Sequence, residues 1–235
     1  MKKFKLTSEF IVDISGVKLF RIKALIEFGN VKAGDLGGYI EKEENLSHMG
    51  DAWVSDDARI SGNAQVFGNA QVFGNAQVFG DAWVFGNARV FGNARVSGDA
   101  QVFGDAQVFG DAQVFGDAWV FGNARVSGNA QVFGNARVFG NAWVSGNARV
   151  SGDAQVFGDA RVSGDKDYAY AHGFGSCNRT TTFFRLKDGD VGVRCGCFYG
   201  TLAQFRDKVC ETHGETKKAQ EYLMLADLME IRFKN

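Results

Sequence analysis

The side chains best suited to chemistry lie near the C-terminus, where cysteine and histidine spacings resemble a zinc site. Cys195 and Cys197 sit on a predicted strand end, and Cys210 and His213 are one helical turn apart. A structural zinc would stabilise so small a unit. However, Cys-x-Cys lacks the usual two-residue gap, and free cysteines are often simply buried. We favour buried thiols here, and we expect no metal and no cofactor.

A second group of candidate binding residues consists of charged side chains that repeat at regular intervals between residues 50 and 163. Arg89, Arg125 and Arg161 recur every 36 residues and could contact an anion, although they could equally form a solvated surface. Asp81, Asp99 and Asp117 recur every 18 residues. A hard cation needs converging oxygens and not a row of them, so we interpret these aspartates as corner residues.

These residues are carried by a six-residue repeat that runs without insertion from Gly50 to Ser163 in nineteen copies. The unit is Gly, then Asn or Asp, then Ala, an outward residue, Val, and Phe or Ser. Ala and Val are two residues apart, so in a strand both point inward. Gly with Asn or Asp predicts a corner, because these residues tolerate the positive φ of a sharp bend. Each hexad is therefore a short strand followed by a turn.

Three hexads can close one triangular coil, which gives six coils and one extra side. We number the three sides by their first hexads: face 1 begins at Gly50, face 2 at Asp56 and face 3 at Gly62. On face 3 the position after Val is always Phe, and we call this set the Phe column. It consists of Phe67, Phe85, Phe103, Phe121, Phe139 and Phe157, with Trp83 and Trp119 at the other outward position of the same face.

The Phe column has two interpretations. Contiguous apolar surface on a soluble protein is usually covered, which makes face 3 a candidate interface. Alternatively, near-identical repeats expand by duplication, and stacked rings stabilise neighbouring coils by themselves. We favour the interface, with either further copies of the chain or another partner on it.

The composition narrows the class of protein. The chain has 235 residues, 31 Gly, no Pro, 22 Phe and a net charge of -1. That charge gives no general attraction to nucleic acid. No apolar run is long enough to span a bilayer, and no secretory signal is evident. We expect a cytosolic protein with its four cysteines reduced.

The flanking segments predict caps for the two open ends of the coil. Residues 1–49 contain a hairpin around Ser15-Gly16-Val17 and an irregular first coil. Residues 164–235 predict a small ββαα domain with strands at 180–186 and 191–198. Its first helix is capped at Thr201, and its second covers 216–232. The fold class is therefore mainly β.

The hexad, in which Val54 is followed by Ala58 four positions on, resembles the left-handed β-helix of the trimeric LpxA-like superfamily. The resemblance covers about half of the chain and implies the left-handed sense. The stretches Arg21 to Leu25, Gly34 to Glu41 and Glu44 to Ser47 resemble the N-terminal cap of hexapeptide-repeat proteins found in prophages and bacteria. This implies a phage-borne cytosolic protein with no established chemistry.

Acyltransferases of the same superfamily use a histidine on a coil or loop as general base. His48, His172 and His213 all lie outside 50–163, and no loop interrupts the coils. We therefore expect a non-catalytic binding protein that interferes with host defence, by covering a host protein or sequestering a small, nucleotide-like ligand. An acyl- or nucleotidyl-transferase and a structural spacer stay as alternatives. A homo-oligomer is expected, a trimer by analogy of fold, without nucleic acid or membrane partners.

Overall fold

The computed structural model describes residues 1–175 and 178–234, and it shows a parallel β-solenoid between two capping units. Cys177, one of the four cysteines expected to be reduced, lies outside the described residues. No helix within the described ranges is both long and apolar enough to cross a membrane. The parallel β-solenoid is confirmed, and its left-handed sense stays a prediction.

The N-terminal cap begins with the expected hairpin. Strand β1, Phe4–Val12, pairs antiparallel with β2, Lys18–Ala24, which pairs with β3, Leu36–Ile40. Strand β3 then pairs in parallel with the first strand of face 2, so the hairpin continues that face. A single 3₁₀ turn, Glu43–Asn45, leads into the repeat.

The repeat forms nineteen two-residue strands, β4 to β22, stacked in parallel into three sheets. Face 1 contains β4 Trp53–Val54, β7 Gln71–Val72, β10 Arg89–Val90, β13 Gln107–Val108, β16 Arg125–Val126, β19 Trp143–Val144 and β22 Arg161–Val162. Face 2 contains β5 Arg59–Ile60, β8 Gln77–Val78, β11 Arg95–Val96, β14 Gln113–Val114, β17 Gln131–Val132 and β20 Arg149–Val150. Face 3 contains β6 Gln65–Val66, β9 Trp83–Val84, β12 Gln101–Val102, β15 Trp119–Val120, β18 Arg137–Val138 and β21 Gln155–Val156.

The interior is filled by the Ala and Val positions of every hexad, together with Ile60, and all of them are completely buried. The predicted inside and outside of the coil are therefore confirmed. Residues 18 positions apart pair across neighbouring coils, as Arg89 does with Gln107. This register keeps like positions directly above one another, which is what creates columns of identical residues.

The corners correct one part of the prediction. Each repeat glycine has a φ between 59° and 73°, but the Asn or Asp that follows does not take a positive φ. The exception is Asp56, which replaces a glycine and has φ 55°. Glycine is also needed for space, since a Cβ on Gly98 would lie 2.9 Å from the amide nitrogen of Gly116. In each corner the chain therefore bends at a single residue, the glycine or, in one hexad, Asp56.

The Asn and Asp side chains of the corners link one coil to the next. Asn69 Nδ2 donates to Asn87 Oδ1 at 3.2 Å, and Asn87 Nδ2 donates to Asp105 Oδ1 at 3.0 Å. A carboxylate has no N–H to pass on, so a run of donors stops where it reaches an aspartate, as this one does at Asp105. These corner ladders explain the choice of residue better than backbone conformation does.

The C-terminal unit is larger than the predicted ββαα arrangement. It has a four-stranded antiparallel sheet: β23 Tyr168–Phe174, β24 Arg179–Arg185, β25 Val191–Cys195 and β26 Phe198–Thr201. Helices α1, Leu202–His213, and α2, Lys217–Phe233, pack on the sheet around a separate core. Thr201 caps α1 with Gln204 in the predicted capping box. The predicted second strand is split, because the chain reverses at Gly196, whose φ is 57°.

The C-terminal sheet closes the last coil. Phe184 is fully buried and Tyr168 is almost so, and both pack into the same core as the repeat. Ala160 forms an antiparallel bridge with Leu186. The end of the solenoid is thus covered by strand β24, which removes an open sheet edge.

A candidate binding face

The Phe column of face 3 forms one continuous stack of rings. From Phe67 to Phe139 the neighbouring ring centroids are 4.8 to 4.9 Å apart and the rings are within 5° of parallel. Phe157 continues the stack at 4.5 Å, tilted by 37°. The spacing follows from the distance between neighbouring strands of a sheet. All six rings are half-buried, since each covers the face of the next and leaves its edge to solvent.

The two tryptophans of face 3 pack edge-on beside the column. Trp83 lies against Phe67 with centroids 6.1 Å apart, and Trp119 lies against Phe103 at 6.2 Å. The indole of Trp83 is 42% exposed. The guanidinium of Arg137 lies 4.7 Å from the centroid of Trp119. Face 3 thus presents a band of ring edges with a protruding indole near one end.

The other faces carry shorter stacks at the same position. Face 1 has three stacked rings, Phe73, Phe91 and Phe109, and face 2 has two, Phe115 and Phe133. Serine interrupts both columns, and Phe79 stands alone with 38% of its surface exposed. Face 3 therefore has the longest stack by a factor of two.

One end of the Phe column is covered by the C-terminal unit. Tyr199, on β26, packs edge-on against Phe157 at 4.8 Å, and the guanidinium of Arg194 lies 5.3 Å from the same ring. These two contacts were not foreseen, because nothing in the sequence links a distant strand to the last coil. They seal the end of the stack and leave its long flank untouched.

The N-terminal hairpin lies beside face 2 and not over the Phe column. Its turn and face 2 enclose a cleft of about 220 Å³ whose lining includes Ile14, Leu19, Arg59, Phe79 and Arg95. Coverage of the column within one chain, by the hairpin or by the C-terminal helices, would be the alternative to an interface on face 3. The ring contacts of Phe85, Phe103 and Phe121 within the described chain are with their column neighbours and Trp119.

The three arginines proposed for anion contact lie on face 1, but they are not brought together. Each is two coils from the next, and Arg161 donates to the carbonyls of Asn141 at 3.1 Å and Ala160 at 2.9 Å. Arg125 is exposed on an open part of the face. Arg89 alone lines a cleft, of about 540 Å³, near the N-terminal cap.

Of the four candidate zinc ligands, Cys195 and His213 line one cleft, whose lining does not include Cys197 or Cys210. Cys195 Sγ accepts a hydrogen bond from Thr181 Oγ1 at 3.2 Å and is half-buried. Cys197 and Cys210 are exposed, so the expectation of buried thiols is wrong for these two. Over residues 1–175 and 178–234 there is no group of three His, Cys, Asp or Glu side chains placed to hold a metal. The stacked Asp81, Asp99 and Asp117, which lie within these ranges, therefore do not form such a group.

The three histidines occupy separate places. His48 stacks on Phe4 at 4.3 Å in the N-terminal cap, and His172 is hydrogen-bonded to Thr180 Oγ1 at 2.9 Å. His213, at the end of α1, lies 5.8 Å from the ring of Tyr222. Each therefore has a local packing or hydrogen-bonding role.

The repeat is similar to a known one. The YdcK β-solenoid repeat matches residues 58–74, 82–98, 88–104 and 130–146, all inside the stacked coils. The chain is a repeat β-solenoid protein. The matched segments cover about a quarter of its length and leave both caps outside. No curated protein matches the sequence.

Proposed function

We propose that this β-solenoid is a non-catalytic interaction protein, and that the Phe column of face 3 is its interface with further copies of the same chain. The observation that carries the proposal is the unbroken stack of six rings, with Trp83 protruding beside it. Faces 1 and 2 contain serine as well as phenylalanine at the same position, so the fold itself does not require phenylalanine there. An uninterrupted column on one face alone fits an interface.

The size of the effect supports self-association of moderate strength. Stacking already removes the ring faces from water, so association would bury ring edges and the exposed part of Trp83. At about 25 cal/mol per Å² of apolar surface, a few hundred Å² would contribute several kcal/mol before the cost of association. The flank is long and straight, which suits solenoids packed with parallel axes.

Closed symmetry is the expected form of the assembly. A patch this long would drive open aggregation unless the copies close on themselves. The superfamily resemblance favours a trimer. In the phage setting that the N-terminal resemblance implies, the assembly would act in the host cytosol on a host protein or a nucleotide-like ligand.

The test replaces the central rings of the column with the residue that the other columns already contain. Phe85, Phe103 and Phe121 are changed together to Ser, and mass is measured by light scattering coupled to size exclusion. We expect the wild type to be an oligomer and the triple variant to be a folded monomer. Circular dichroism establishes that the variant keeps its sheet content.

The matched control removes an equal stack from another face. Phe73, Phe91 and Phe109 are changed together to Ser, which deletes three stacked rings from face 1. This variant should stay oligomeric with a similar loss of stability. The proposal fails if the wild type is monomeric at tens of micromolar, or if both triple variants dissociate equally.

A further inference from the structure

A polar cleft lies at the N-terminal end of face 1, away from the Phe column. It has a volume of about 540 Å³, within the range typical of small-molecule sites. One wall is the tight turn at Gly29 and Asn30, closed by the antiparallel bridge between Phe28 and Val31. The opposite wall is the outward surface of the first three coils. The lining from those coils includes Asp51, Trp53, Asn69, Gln71, Asn87 and Arg89.

The turn that forms the outer wall is held firmly in place. The Phe28 ring packs edge-on against Trp53 at 5.3 Å, and the ammonium of Lys3 lies 4.6 Å from its centroid. Lys3 is itself buried and donates to the carbonyl of Ala52 at 2.7 Å. A Cβ built on Gly29 would touch the Asp51 side chain at 3.4 Å, so this wall lies directly on the first coil. The cleft is therefore preformed.

Several polar groups in the cleft have no partner within the chain. The side chains of Arg89, Gln71 and Asn30 make no hydrogen bond or ion pair with any described residue. Asn69 and Asn87, by contrast, are engaged in a corner ladder. Unused donors and acceptors that converge on a cleft are the usual means of orienting a ligand.

The charge of the cleft favours an anion. Asp51 lies close enough to the buried ammonium of Lys3 to interact with it electrostatically, so its charge is partly compensated. Arg89 has no carboxylate partner within the described chain. Asp51 and Arg89 are two coils apart, roughly 10 Å along the axis. Amide groups lie between them.

We infer that this cleft binds a small anion with a hydroxylated body, of which a sugar phosphate is the simplest example. The anionic group contacts the Arg89 guanidinium, which suits phosphate and carboxylate oxygens. Hydroxyl groups both donate and accept, so they match the amides of Gln71 and Asn30 and the carboxylate of Asp51. The inference goes beyond the interface on face 3 and does not depend on it.

The test measures binding of glucose 6-phosphate to the full chain by calorimetry, beside glucose and inorganic phosphate. Arg89→Gln removes the charge, and glutamine already occupies the same position of the column at Gln71 and Gln107. Loss of a charge-assisted hydrogen bond should weaken binding about tenfold to a hundredfold. Arg125→Gln makes the same change in the same column outside the cleft, and it should bind like the wild type.

Three results would overturn the inference. Glucose 6-phosphate could fail to bind at millimolar concentration, or bind Arg89→Gln as well as the wild type. Inorganic phosphate alone could also bind as tightly as glucose 6-phosphate, which would show that the cleft does not recognise the hydroxylated part of the ligand. Asn30→Ala, in the outer wall, is a second variant that should weaken glucose 6-phosphate more than inorganic phosphate. The oligomeric mass of each variant is measured in parallel, so failure here is distinct from failure of the face 3 interface.

Discussion

A valine inside this solenoid has a closely defined environment, because the coils above and below place the same residue against it. Val108 is fully buried and pairs with Val90 on one side and Val126 on the other. The outward neighbour Gln107 is half-buried on the same two-residue strand. A single strand thus offers two positions with opposite tolerance for charge.

We expect Val108→Asp to destabilise the protein by more than about 3 kcal/mol, because an unpaired carboxylate would enter an apolar interior. Gln107→Glu, one position away, should change stability by less than about 0.5 kcal/mol. Urea unfolding followed by circular dichroism measures both. Similar losses for the two variants would contradict the burial described for these positions.

At the scale of the elements, the coil at residues 104–121 passes no corner side-chain hydrogen bond on to the next coil. Its corner residues are aspartates, whereas those of the next coil are asparagines. The three pairs are Asp105 with Asn123, Asp111 with Asn129, and Asp117 with Asn135. Donation runs from each coil to the following one, and a carboxylate cannot donate. The backbone bonds continue across this boundary while the side-chain bonds stop.

Asp105→Asn and Asp111→Asn together should stabilise the protein by about 1 kcal/mol per added hydrogen bond. Each new amide could donate to the asparagine of the next coil and still accept from the preceding one. Asp153→Asn serves as the control, since the repeat ends at Ser163 and the C-terminal unit, instead of another repeat corner, follows the coil that carries Asp153. An equal gain in all variants would indicate a general effect of lowered charge instead.

The repeat could be predicted from the sequence almost completely, apart from its handedness, because the six-residue alternation of small, outward and aliphatic residues fixes which side chains point inward. The corner asparagines could not, since their ladder depends on a neighbour that only the stacked coils provide. In the C-terminal unit, the helical spacing that predicts α2 includes Leu228, which is 55% exposed. Helical spacing alone did not distinguish it from Ala226, which is fully buried.

At the scale of the whole molecule, the inter-coil backbone bonds of the solenoid run in one direction along its axis. Amides of one coil donate to carbonyls of the next, as Gln65 N does to Ala82 O at 3.0 Å. The N-terminal end therefore presents carbonyls, which Lys3 Nζ and Asn45 Nδ2 satisfy. The C-terminal end presents amides, and Asp165 accepts from Arg149 N at 2.9 Å. Like a helix, the solenoid has a cation at its carbonyl end and a carboxylate at its amide end.

The cap at Lys3 gives a pH dependence of unusual sign. Burial lowers the pKa of Lys3 from 10.5 to about 8, against the attraction of Asp51. Below about pH 8 Lys3 is charged in both the folded and the unfolded chain, so it does not make the free energy of unfolding depend on pH. Between about 8 and 10.5 the unfolded chain keeps a proton that the folded chain has lost, so the contribution of Lys3 to stability rises with pH.

We therefore expect the stability of the wild type relative to Lys3→Met to increase between about pH 8 and about pH 10. Urea midpoints across this range measure the difference. Lys5→Met, at an exposed position of β1, should show no such trend. A difference between wild type and Lys3→Met that stays constant with pH would show that this ammonium does not titrate there.

The eighteen-residue period also constrains how the gene can change. Near-identical tandem repeats gain and lose units when DNA is copied, and a single hexad is the smallest unit that keeps the pattern of inward residues. Loss of one hexad would turn every later residue by one face, so Phe139 and Phe157 would leave the column that begins at Phe67. Loss or gain of three hexads would only shorten or lengthen the rod. Natural length variants that keep the column should therefore differ by whole coils.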